Sequence, residues 1–79
     1  MSDAETRACI RWLLTRQLDP SADIDRAAAW CERWLARTAH WRRPGDVYTP
    51  ERLAHLAVGA YRREHPNQLD AWTRVLSGL

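Results

Sequence analysis

An all-α fold, a compact bundle of about four helices with two longer and two shorter, is predicted by three features of this 79-residue chain. Apolar residues recur at spacings of three and four along most of its length. Pro and Gly fall between those stretches, and no run alternates apolar with polar residues at the period of a strand. Asp46-Val47-Tyr48 is too short to compete, and Thr49 is already committed to a helix start.

The first helix is expected from about Asp3 to Leu18, capped by Ser2 or Asp3. Ile10, Leu13, Leu14 and Leu18 form its apolar face. Asp19-Pro20-Ser21 ends it, because Pro disfavours helical backbone in the residue before it and offers no N–H. Ser21 or Asp23 caps a second helix that reaches about Trp41, with Ile24, Ala27, Ala28, Cys31, Trp34, Leu35 and Thr38 on one side. Arg42-Arg43-Pro44-Gly45-Asp46 stops it, with cations at the negative end of the dipole.

Thr49-Pro50-Glu51 is the strongest local signal in the chain. Thr caps, Pro is pre-set for the first helical position, and Glu suits the positive end of the dipole. The third helix that starts there turns Leu53, Leu56, Ala57 and Ala60 to the core, with Tyr61 at the margin, and closes at His65-Pro66-Asn67. Asn67 is expected to cap a short fourth helix bearing Leu69, Trp72, Val75 and Leu76 on its inner face and ending near Gly78.

Residues 1–79 read as one domain, with no internal repeat, low-complexity tract or linker. A chain of this length buries only about 60 to 65% of its unfolded surface, so its stability is expected to be a few kcal/mol. Composition argues against disorder, with 46% hydrophobic residues and five tryptophans. The N-terminal segment lacks a basic stretch followed by an apolar one, and no run approaches the ~18 apolar residues of a membrane span. A cytoplasmic protein without membrane association is therefore expected. Cys9 and Cys31 lack C-x-x-C spacing and read as two reduced thiols.

Catalytic machinery is not legible. His40, His55 and His65 make no H-E-x-x-H or Cys/His ligand spacing and read as solvent-facing polar residues, so no metal site is expected. Cys31 falls within the predicted core stripe and Cys9 on another face, away from any base that spacing reveals. Asp23 and Asp25 are explained by a helix start, and three glycines build no phosphate cradle. The expectation is a protein that is not an enzyme and takes no cofactor.

All twelve basic residues are arginine, and against ten acids they leave a net charge of +2, too small to select a partner by itself. The distribution is more informative. Arg26, Arg33 and Arg37 lie within about 40° of one another on the second helix, flanked by Trp30, His40 and Trp41. The bland account is that arginine stems shield core-edge indoles, Arg26 on Trp30 and Arg37 on Trp41, each four residues on. The functional account is that exposed Trp and Arg are what binding hot spots are made of. Trp12 points roughly opposite Leu14, so the first helix is either sandwiched between two layers or in contact with another chain.

These features predict a helical interaction protein that binds and modulates a larger protein, as a regulator or inhibitor of bacterial or phage type, through Arg26, Trp30, Arg33, Arg37, His40, Trp41 and Trp12. Self-association as a homodimer is expected to cover the outer tryptophans. The alternative is a transcriptional regulator that meets nucleic acid through Arg42, Arg43, Arg52, Arg62 and Arg63, although a fourth helix holding only Arg74 would be a weak recognition helix.

Overall fold

Each helix whose start is set by a cap begins where a side chain can accept from its orphan N–H groups. The computed structural model describes residues 3–42 and 48–76, and among these it places α1 at Asp3–Gln17, α2 at Ile24–Thr38, α3 at Pro50–Glu64 and α4 at Ala71–Leu76. Asp23 caps α2 by accepting from the Arg26 N–H, and Thr49 caps α3 by accepting from the Arg52 N–H. The first turn after α1 is tied by Asp19, whose carboxylate accepts from both the N–H and the hydroxyl of Ser21. Ser21 is thus spent on the turn and Asp23 is the cap. The predicted stops at Pro44-Gly45 and Gly78, and the cap at Ser2, lie outside the described residues.

α1, α2 and α3 form an up-down-up three-helix bundle in which α3 packs mainly on α1. The starts of α1 and α3 come together near Thr6 and Leu53, beside Leu35 at the far end of α2. The core is Ile10, Leu13, Leu14 and Leu18 from the first segment, Ala27, Ala28 and Cys31 from α2, and Ala54, Ala57, Val58 and Tyr61 from α3. Small residues on α2 and α3 let the helices approach closely, and the larger Ile and Leu of α1 fill the space between. Two surface ion pairs join α1 to α2, Arg7 Nε to Glu32 Oε1 and Arg11 Nη1 to Asp25 Oδ1, both at 2.6 Å. Exposed as they are, each contributes at most about 1 kcal/mol.

The helix-two end is tighter than the sequence implies. Residues Ala39–Trp41 form a 3-10 turn rather than continuing α2. Arg42 donates through Nη1 to the Leu35 carbonyl at 3.3 Å, and the Thr38 hydroxyl reaches the same oxygen at 3.5 Å, so the end of α2 is closed by side chains.

Two core assignments on α3 need correction. Leu56 is not a core residue: it is 41% exposed, while Ala54 and Val58 are buried in its place. The face of α3 is centred on Ala57 because α3 must meet two neighbours, and Leu56 lies about 100° around the helix from that centre. Tyr61 belongs to the core rather than its margin, and its hydroxyl donates to Gln68 Oε1.

The fourth helix departs furthest. Asn67 does not cap it: Pro66–Gln68 is a 3-10 turn, and Asp70 caps α4 by accepting from the Thr73 N–H at 2.6 Å. Leu69 is buried outside the helix, in an antiparallel bridge with Leu18 in which Asp19 N–H donates to Gln68 O and Asp70 N–H to Gln17 O. The bridge fixes the entry angle of α4, so that Thr73 turns inward. Trp72, Val75 and Leu76 face out instead of in, Trp72 with 74% of its surface exposed.

Candidate functional site

Two of the three arginines predicted on helix two converge, while Arg26 borders a separate hollow with Asp23, Tyr61 and Gln68. Arg26, Arg33 and Arg37 are all exposed, and Arg33 and Arg37 border a shallow depression of about 350 Å³ with Trp30 and Ala36. Acids border the Arg26 end of this stripe, where Asp19 and Asp23 line the same hollow as Arg26, but not the depression beside Arg33 and Arg37. Asp23 and Asp70 are used as helix caps, Asp19 in a turn, and Asp25 and Glu32 in the pairs with α1 on the other side of α2. A net charge of only +2 therefore conceals an uneven distribution, with the Arg33 and Arg37 part of the α2 stripe left basic.

The aromatic residues of the stripe are fixed by other rings. Trp30, half-buried, meets Tyr61 edge-on at 5.3 Å and His65 edge-on at 5.4 Å, while His65 stacks on Tyr61 at 4.1 Å. His65 is thus part of an aromatic trio across α2 and α3 rather than a solvent-facing residue. Trp41 is 63% exposed yet held edge-to-face against Trp34 at 6.0 Å, with His40 on its other side at 6.5 Å. Arginine shielding of Trp30 and Trp41 is not what is found: among the described residues the cation–π pairs are Arg16 over Trp12 at 4.6 Å and Arg52 over Tyr48 at 4.8 Å. Trp41 is consequently an indole that is ordered and open.

The second set of arginines is partly engaged. Arg42 is engaged with the Leu35 carbonyl, Arg52 lies on Tyr48, Arg62 is half-buried, and Arg63 is exposed. Arg43 lies outside the described residues, as does the side chain of Arg74.

Trp12 is 59% exposed, so α1 is not sandwiched between layers. Its indole borders a groove of about 290 Å³ at the α1/α3 seam, lined also by Ala8, Cys9, Leu13, Glu51 and His55. Sequence spacing within one helix cannot show this groove, since it depends on which face of α3 meets α1.

Burial pushes the Cys31 thiol up to about 12, with neighbouring Glu32 adding to the shift. At neutral pH it is a thiol, not a nucleophile. The Tyr61 hydroxyl is raised by burial first and by Cys31 and Asp23 second. Asp70 is lowered, first by the backbone N–H of Thr73 and then by its side chain. Among the described residues no group of three or more His, Cys, Asp or Glu is placed to hold a metal ion, and no helix is long and apolar enough to cross a membrane. No protein-family model, curated protein or solved structure matches the chain.

Proposed function

We propose that this chain is a non-enzymatic helical module that binds and modulates a larger protein, and that the α2 stripe is its contact surface. The observation that carries the proposal is the coincidence of exposed arginines with an indole held open: Arg33 and Arg37 border a depression with the half-buried Trp30, Arg26 precedes Trp30 by one turn, and Trp41 stands exposed against Trp34 just past the end of α2. Trp and Arg dominate interface energetics because each covers a large contact area and brings a directional group with it. Ordering Trp41 against Trp34 before binding removes part of the entropic cost of association. The depression beside Arg33 and Arg37 has no acid in its lining, so the complementary partner surface is acidic.

Phosphate recognition has less support, because Arg42 and Arg52 are engaged with a carbonyl and a ring and Arg62 is half-buried. A nuclease-treated extract of the native host, passed over tagged wild type and over the Arg33→Glu/Arg37→Glu variant in parallel, separates the readings. A protein retained by wild type and lost from the folded double variant is the expected result. Equal retention by both would remove the stripe from the interface. Steeply salt-dependent binding to random duplex DNA, kept by the Arg33→Glu/Arg37→Glu variant but abolished by Arg52→Glu/Arg63→Glu, would favour the phosphate reading.

A further inference from the structure

We infer that a second copy of the chain docks on the Trp12 face of α1, antiparallel, about a two-fold axis passing between residues 10 and 11. Glu5, Cys9, Trp12 and Arg16 share this outer face, within about 60° of one another at helical spacing. Glu5, Trp12 and Arg16 are exposed, and Glu5 makes no ion pair with any described residue. The face points away from the α1/α2 ion pairs and is distinct from the α2 stripe.

The occupant follows from self-complementarity. In an antiparallel pairing of two identical helices, residues whose numbers share a common sum stand opposite each other. Glu5 opposite Arg16 of the second copy sets a register that also places Cys9 opposite Trp12 of the second copy. One register therefore satisfies two charges and seats each indole over the partner's Cys9 side of the α1/α3 groove, an apolar hollow with Glu51 and His55 at its edge. The operation is isologous, so both contacts occur twice and the assembly closes at two copies. Arg16 is already laid over the Trp12 ring at 4.6 Å, which keeps its guanidinium on this face. An unrelated protein has no reason to match an acid, an indole and a base in this order along one helix.

The test uses two single variants of the full chain, Glu5→Arg and Arg16→Glu, chosen at exposed positions so that folding is retained and checked by circular dichroism. Wild type at high micromolar concentration is expected to sediment at twice the chain mass. Each variant alone faces like charges across the axis, arginine on arginine or glutamate on glutamate, and is expected to sediment as a monomer. Mixed in equal amounts, the two variants set arginines of one copy against glutamates of the other at both ends of the contact, so a one-to-one dimer is expected to return. Monomeric wild type, or a mixture that stays monomeric, overturns the proposal. A dimer that both single variants retain overturns it as well, since association would then use another face. None of these outcomes depends on the α2 stripe, which the substitutions leave intact.

Discussion

Gly59 occupies the middle of α3, where its backbone carries an avoidable entropic cost. A Cβ placed there would meet only Arg63 Nη1, at 3.7 Å, an ordinary contact with the far end of a flexible side chain. Gly59→Ala should therefore stabilise the protein by about 0.5–1 kcal/mol, seen as a rise of about 3–6 °C in Tm by calorimetry. An unchanged or lower Tm would mean that the glycine is needed for a reason its surroundings do not reveal. Cys31 gives the alkaline counterpart. The fold accommodates the neutral thiol, so this group's contribution is complete below pH 9, its ordinary value, and is lost as pH rises towards 12. The loss is on the order of 4 kcal/mol, comparable with the whole stability of so small a domain. Tyr61 titrates in the same direction. Denaturant titrations should show stability falling from pH 9 upwards, and Cys31→Ala should flatten that fall while costing some stability at neutral pH. An alkaline limb identical in the variant would locate the loss elsewhere.

At the level of elements, the bounds of α1, α2 and α3 were legible wherever a local device decides them. Asp23 and Thr49-Pro50 cap and open their helices through contacts within three residues, and those contacts are written in the chain order. α4 was misread because its geometry is settled by partners far away in sequence. The bridge from Leu69 to Leu18 takes Leu69 out of the helix and passes the cap from Asn67 to Asp70. Six residues are too few for a helix to persist by propensity alone, and the Trp72, Val75 and Leu76 face gains nothing from the core. Hence α4 depends on its cap. Asp70→Ala should speed hydrogen exchange of the α4 amides several-fold while leaving those of α1 and α3 protected. The same opening should appear in wild type as pH falls below the ordinary carboxylate range, because the depressed Asp70 stabilises the helix above that range and loses its effect on protonation. Uniform loss of protection across all four helices would show instead that α4 is integral to the cooperative unit.

For the molecule as a whole, what matters is how the faces are divided. The charge segregation of α2 was readable from a helical wheel, since Arg26, Arg33 and Arg37 share one side of it. Trp41 as an open, ring-supported anchor was not, because the 3-10 turn that carries it and its contact with Trp34 arise from how α2 ends. That distinction makes two tryptophans of the same stripe separable by experiment. Trp30 is braced by Tyr61 and His65 at the core edge, and truncating it leaves a void between α2 and α3, so Trp30→Ala should cost about 3 kcal/mol of stability. Trp41 covers mainly Trp34 and keeps most of its surface in solvent, so Trp41→Ala should lower stability by no more than about 1 kcal/mol. Its cost should fall on binding instead, about 2 kcal/mol or more for a central indole anchor, or roughly a thirtyfold weaker Kd. Arg33→Glu/Arg37→Glu should behave in the same sense, within about 1 kcal/mol in stability and several kcal/mol in affinity, because it opposes like charge to the partner's complement only when the surfaces meet. Calorimetric melting and titration calorimetry against the captured partner measure the two quantities on the same three variants. A Trp41→Ala protein that melts early but binds normally would return Trp41 to the core edge and take the α2 stripe out of the contact.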